Sequence, residues 1–405
     1  MKLVFVSNFI NHHQIPLGDR LSRLCSAEGG SYIFIQTEKM DEERLSMGWE
    51  VSKLPEYVRL FDDAPDECRK LIMDADCVIF GGVDDESYIE ERIAANGLVL
   101  RYSERLYKEG QWKAVSPRGL MKKYHDHTRH KSKPVYLLCA GAYVASDYSI
   151  VRAYKDKMYV WGYFPEVKKY DIDELMKGKH KEIPHILWAG RFIDWKHPEM
   201  AVSLAEYLKK KNIPFHLDIV GGGGLENALR ELVTEKELSA YVSFEGYKTP
   251  GEVREYMENS DIFIHTSDRK EGWGAVLNEA MNSGCAVVAD HMIGAVPYLT
   301  RHNYNGLIYM DGNKNQFYAF VEKLLKDAAL RDRMGRAAYE TMADEWNPDS
   351  ASKKLYALIN ELLQSEEGTI EAVKEAESGG RKIPCDREFP TDEGRMYQKL
   401  IREGM

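Results

Sequence analysis

The chain has 405 residues, a length that the usual size prior divides into two domains. Apolar residues make up 44% and charged residues 30%, the balance of a globular chain able to bury large cores. A net charge of −10 argues against general nucleic-acid binding, which needs a basic field.

Six cysteines, at 25, 68, 77, 139, 285 and 385, include no C-x-x-C pair, so neither a zinc knuckle nor a disulfide framework is readable. Reduced thiols in a cytoplasmic protein are the expectation. The opening run MKLVFVSNFINHH breaks at Ser7–Asn8, too early for a secretory leader. No apolar run reaches the length of a membrane-spanning helix.

Strand and helix signals then alternate. KLVFVSN (2–8) is a short apolar run, and IPLGDRLSRLCSA (15–27) sets Leu17, Leu21 and Leu24 at helical spacing. Further strands are read at SYIFIQT (31–37), DCVIFGG (76–82), LVLRYSE (98–104), VYLLCAG (135–141) and MYVWGYF (158–164), with helical stretches between most of them. PEVKKYDIDELMKGKHKEIP (165–184), charged and bracketed by Pro165 and Pro184, reads as an interdomain linker. A second series follows: HILWAGR (185–191), FHLDIVGGGG (215–224), YVSFEGY (241–247), DIFIHTS (261–267) and CAVVAD (285–290), with helices at 198–211, 225–237, 250–259 and 274–283. PDSASKKLYALINELL (348–363) is a late helix, and 366–405 reads as a charged, extended tail. Buried apolar strands alternating with helices give parallel sheets covered on both faces. The expected fold class is α/β, with two tandem Rossmann-like doubly wound domains facing a cleft. The expected divisions are 1–168, 169–347 and 348–405, the last holding a helix that returns to the N-terminal domain. Sheets of this kind take ligands beyond the carboxyl ends of their strands.

RKEGWGAVLNEAMNSG (269–284) sets the central problem. Glu271 stands between turn-makers and Glu279 lies eight residues on, in an apolar helix start; both carboxylates cost desolvation unless something binds them. The segment reads as a loop, then a short helix closed by Gly284. Gly272 and Gly274, flanking Trp273, let the backbone come close to a ligand. The amides of Gly274, Ala275 and Val276 open the helix and suit a phosphate oxygen. A carboxylate is a two-pronged acceptor for a vicinal diol. A ligand with phosphates in the middle and hydroxyls at both ends meets all of this, which describes a nucleotide sugar.

E-G-W-G-A-V-L-N-E also resembles the E-x7-E motif of retaining glycosyltransferases of GT-B architecture, in particular glycosyltransferase family 4 (group 1). WAGRFIDWKHPEMAV (188–202) is similar to that family's G-R-x-x-x-x-K segment, giving Arg191 and Lys196, and DIVGGGG (218–224), with Gly222 and Gly223, to its glycine turn. MNSGCAVVAD and GAVPYLTRHNYNGLIY (294–309) match the segments beyond. The resemblance covers 185–345 and reaches 1–165 only as a fold pattern. It implies that Arg191 and Lys196 clamp the donor diphosphate, that Glu271 binds hydroxyls of the donor sugar, and that Glu279 binds the ribose diol. It also implies retention of anomeric configuration, with no metal or other cofactor. The chemistry agrees, because fixed cations stabilise the charge that builds on a leaving diphosphate. The start SNFINHHQIP and the domain plan look similar to bacterial enzymes of surface-polysaccharide assembly. The donor nucleotide expected on this resemblance is UDP, and the acceptor a carbohydrate or lipid-linked glycan.

In the N-terminal half, Asn11, His12 and His13 follow the first strand and are offered either to the cleft or to helix capping and solvent. Members of the family often carry a cleft histidine after a later strand. IFGGVDD (79–85) and LRYSERL (100–106) have none; Gly81, Gly82, Tyr102 and Glu104 stand there, with Tyr102 and Glu104 the acceptor candidates. Asp62–Asp63 and Asp84–Asp85 read as solvated surface rather than a metal site. RGLMKKYHDHTRHKSK (118–133) holds six Lys or Arg, three His and one acid, with Leu120, Met121 and Tyr124 on one helix side. It is either a patch for an anionic membrane face or lipid-diphosphate acceptor, or a solvated basic helix. Two rivals to sugar transfer stay open: a nucleotide-sugar epimerase on the same architecture, and a non-catalytic sugar-nucleotide-binding module.

Overall fold

The structure is a computed structural model and describes residues 1–40, 42, 51, 53–179 and 181–364, so the tail read at 366–405 lies outside the described residues. The described chain divides into two compact units, Met1–Glu166 with Asn347–Gln364, and Val167–Trp346.

The first unit is built on seven strands: β1 (Lys2–Ser7), β2 (Ser31–Gln36), β3 (Val58–Leu60), β4 (Cys77–Gly81), β5 (Leu98–Ser103), β6 (Val135–Ala140) and β7 (Met158–Trp161). Their order is β3-β2-β1-β4-β5-β6-β7, every pair parallel, with registers such as Val4↔Ile33 and Val4↔Val78. Continuous apolar strands fit a sheet covered on both faces. Val4, Val6, Val78, Phe80, Val99 and Leu137 form its core with Ile89 and Ile93 of the helix Ser87–Ala94. The helix Pro348–Gln364 packs against the helix Ile15–Ala27 and buries Leu355, Leu358 and Ile359.

The second unit has six parallel strands: β8 (His185–Ala189), β9 (His216–Val220), β10 (Val242–Gly246), β11 (Ile262–His265), β12 (Ala286–Asp290) and β13 (Gly306–Tyr309). They run in the order β10-β9-β8-β11-β12-β13, over a core including Ile186, Leu217, Ile219, Ile264, Val288 and Leu307. Both sheets reverse direction once, at β1/β4 and at β8/β11.

The segment 165–184 is not a bare linker. It contains the helix Ile172–Lys179, which belongs to the second unit. Met176 is 3% exposed, and its sulfur end packs where a Cβ on Gly284 or Gly335 would stand. Lys179 is buried too, donating to the carbonyls of Met257 (2.8 Å) and Ser260 (2.6 Å). Its charges mark a helix surface and a cap, not a tether.

Candidate functional site

In a doubly wound sheet the reversal of strand order leaves a crevice at the carboxyl ends. In the second unit that point lies between β8 and β11. The chain after β8 runs through Arg191 into the 3-10 turn Asp194–Lys196; the chain after β11 runs through Thr266 to Gly274. The two loops are sewn together. Asp268 N donates to Trp195 O (2.9 Å), and Thr266 Oγ1 donates to Lys196 O (2.7 Å) while accepting from Trp188 Nε1 (2.8 Å). This brings the Lys196 ammonium into a salt bridge with Glu271, whose Oε2 also accepts from Ser267 Oγ at 3.0 Å. Burial alone would raise the Glu271 carboxyl, but the Lys196 charge and the neighbouring His265 outweigh it and hold it at about 2. Glu271 is therefore a fixed carboxylate, 75 residues from its partner in sequence.

A third loop, after β12, supports the same turn: Gly294 N donates to Glu271 O (3.2 Å) and Ala295 N to Trp273 O (3.0 Å). Gly274 has φ +92°, and a Cβ there would stand 2.7 Å from His265 Cε1. No side chain fits. The Trp273 indole is 1% exposed, stacked on Trp346 (5.7 Å between rings, 20° between planes) and bonded through Nε1 to Asn278 Oδ1. With its indole so placed, Trp273 has its backbone to offer a ligand. The following helix, Val276–Asn282, has seven residues, with Glu279 half-buried on its first turn. So short a helix has little macrodipole, and what Gly274, Ala275 and Val276 offer an anion is their amides. The Arg191 guanidinium lies over the Trp195 ring at 5.8 Å.

The glycine turn serves the same loops from behind. Gly222 O accepts from Phe192 N (2.8 Å), and a Cβ on Gly223 would meet Phe192 O at 2.8 Å. Gly222 faces the Tyr247 ring, so both glycines are set by close backbone packing around the Arg191 loop.

In the first unit, Asn11 accepts from His13 N through Oδ1 (2.9 Å), and the His12 and His13 rings lie 3.9 Å apart, all beyond β1 at that sheet's own reversal. Tyr102 bonds Gly162 O (3.3 Å) and stacks on Tyr163. Glu104 accepts from Lys108 Nζ (2.6 Å) and Tyr163 Oη (2.7 Å). Gly82, at φ +75°, abuts Ser7 and Asn8.

Three residues escaped the sequence reading. His197, at φ +49°, is held by Glu199 (2.9 Å) and Asp268 (3.4 Å), which carry its pKa up to about 10. Asp290, 2% exposed at the end of β12, is pushed up to about 7 by burial despite amides from Met292 and Gly312. His265 is the third. Position at or beyond the carboxyl end of a strand is a signal for all three, but only burial and pairing distinguish them.

Residues 172–341 match the family model of glycosyl transferases group 1. Among curated proteins, the chain is 27% identical over 202 residues to the amylovoran biosynthesis glycosyltransferase AmsK of Erwinia amylovora, covering 49% of each chain. It is 33% identical over 159 residues to the D-inositol 3-phosphate glycosyltransferase of Pseudarthrobacter chlorophenolicus, covering 38% of this chain and 37% of that protein. The match to AmsK spans about half the length of that relative. Among solved structures, Anabaena HepE in complex with UDP aligns with a TM-score of 0.64 at 14% identity, over 89% of this chain and 98% of that one. A Rickettsia africae glycosyltransferase aligns at 0.63 and 17% identity, over 90% and 99%. Such identities speak to the fold. The expected fold class, two Rossmann-like α/β domains of GT-B type, is the one found. No helix among the described residues is long and apolar enough to cross a membrane.

Proposed function

We propose that this protein is a glycosyltransferase that moves a sugar from a nucleoside diphosphate sugar, with UDP as the nucleotide, to an acceptor hydroxyl in polysaccharide or glycoconjugate assembly. The observation that carries this reading is the meeting of Lys196, the Glu271 carboxylate and the side-chain-free Gly274 turn at one sheet reversal. In the reaction the anomeric carbon–oxygen bond to the diphosphate breaks and its electron pair leaves with the phosphate. Lys196 and Arg191 face that growing charge, as a metal ion would elsewhere, so the transfer runs without one. The amides of Gly274, Ala275 and Val276 take phosphate oxygens. Glu271 accepts from sugar hydroxyls and Glu279 from the ribose diol. The acceptor oxygen bonds the anomeric carbon, its proton passes to the leaving phosphate oxygen, and configuration is retained.

The test is a panel of UDP and GDP sugars with assay of released nucleoside diphosphate. Transfer or slow hydrolysis with one donor is expected, and Glu271→Ala should lower kcat at least about a hundredfold, as for loss of a preorganised hydrogen-bonding group at the reacting sugar. Wild-type turnover in that variant refutes the role of Glu271. A new sugar nucleotide formed without release points to the epimerase, and binding without turnover across acceptors to a binding module.

The reading extends to a lipid-linked acceptor. In the first unit Trp112, Val115, Met121 and Tyr124 are 70%, 78%, 75% and 61% exposed, among Lys113, Arg118 and Lys122. The helix Pro117–Asp126 buries only Asp126, so its apolar side chains face solvent. Apolar tips set in positive charge suit an anionic bilayer surface. The protein should cosediment with vesicles containing phosphatidylglycerol at low salt, and Met121→Glu with Trp112→Ala should abolish this. Equal cosedimentation of that double variant would refute the surface.

A further inference from the structure

His265 ends β11 and is 3% exposed. Neither of its ring nitrogens has a hydrogen-bond partner among the described residues. Burial, opposed by the Glu271 charge and aided by that of Lys196, holds its pKa down at about 3, so the ring is neutral at any physiological pH. A neutral imidazole carries one N–H donor and one lone pair, and buried polar groups of that kind are nearly always paired. Here both are open.

The ring's direction says where the partner must come from. Cε1 lies between the two nitrogens, and it is the atom nearest the open face of Gly274, 2.7 Å from where a Cβ would stand. The polar N–C–N edge therefore points at the turn Gly272–Gly274. Glu271 Cγ approaches the same point at 3.3 Å and Ile293 Cγ2 at 3.1 Å. An unpaired polar edge has thus been placed under a glycine that no larger residue can replace, beside the Lys196–Glu271 pair.

We propose that His265 is a donor-binding residue: its imidazole pairs with an oxygen of the bound nucleotide sugar, reached as the Gly272–Gly274 turn settles on the ligand. This rests on the nucleotide-sugar reading above. That oxygen belongs either to the diphosphate or to a sugar hydroxyl. Neutrality matters in both cases, because a charged ring would compete with Lys196 for Glu271 and trap the carboxylate.

The experiment follows the histidine ring nitrogens by long-range proton–nitrogen NMR on histidine-labelled protein, with His265 assigned by its loss in His265→Gln. Spectra are taken free, with UDP, with UDP-glucose, with GDP and with GDP-mannose, and binding is measured in parallel by calorimetry. A shift with nucleotide alone assigns the bond to the diphosphate; a shift only with the sugar nucleotide assigns it to a hydroxyl; either supports the proposal. Saturating sugar nucleotide with both nitrogens at their free-protein positions overturns it and leaves the donor reading standing. Binding of none of the four ligands overturns both.

Variants supply a second reading. His265→Leu removes the orphaned nitrogens, so the ligand-free protein should unfold at the same temperature or higher, while donor Kd rises about tenfold for the lost bond. His265→Asn mimics Nδ1 and His265→Gln mimics Nε2, so one of them should restore the affinity. A lowered unfolding midpoint with unchanged Kd in His265→Leu would mark a merely structural residue and overturn the proposal.

Discussion

Lys196 and Glu271 neutralise one another before any ligand arrives, so a diphosphate must share the lysine rather than find it waiting. The next residue, His197, shows how that lysine is kept in place. Its backbone is left-handed, its carbonyl accepts from Thr266 Oγ1 (3.1 Å), and its ring bridges Glu199 on one side and Asp268 on the other. Asp268 first, then Glu199, raise its pKa from 6.5 to about 10 against the pull of burial. The sign follows from linkage. A folded pKa above the unfolded one stabilises fully below about 6.5, and the contribution is lost as pH rises through about 10. His197→Asn, which tolerates the left-handed backbone, should therefore lower the unfolding midpoint clearly at pH 6 and hardly at all above pH 10. An equal deficit at both values would show that the ring is held by packing and not by charge.

Loops and elements differed in how far they could be read. The helix Ile15–Ala27 was legible to the residue because Pro16 opens it and Leu17, Leu21 and Leu24 repeat at its period. The strands that meet the site were legible because parallel strands buried on both faces are apolar throughout. The helix Ile172–Lys179 reads as linker in sequence since its charged residues outnumber the two, Met176 and Lys179, that it buries. A lysine capping carbonyls looks like a solvated lysine in sequence. β3 was missed because three residues, Val58–Leu60, carry no period. Within the site, Glu271, Gly274 and Lys196 could be placed on loops after strands, but their meeting depends on β8 and β11 being neighbours, a fact of strand order that no local pattern states. His265 reads in sequence as one polar residue closing an apolar strand. That its ring has no hydrogen-bond partner among the described residues is a fact of the fold.

Among the described residues the chain crosses between units twice, after Glu166 and after Trp346, and this asymmetry has consequences for stability. Val167–Trp346 is one continuous stretch with its own core and holds every residue assigned to the donor. The first unit takes in the helix Pro348–Gln364 from beyond the second, and Ile359 of that helix is fully buried. Ile359→Ala should cost about 2–5 kcal/mol, the range for truncating a buried aliphatic side chain, and that loss should fall on the first unit. Calorimetry can tell the units apart, since a ligand stabilises only what binds it, by about 2.7 kcal/mol at a hundred times its Kd. UDP is expected to raise one unfolding transition, and Ile359→Ala to lower the other while leaving UDP affinity unchanged. If the substitution and the nucleotide instead move one common transition, or if Ile359→Ala weakens UDP binding, then the donor site draws on more of the molecule than residues 167–346.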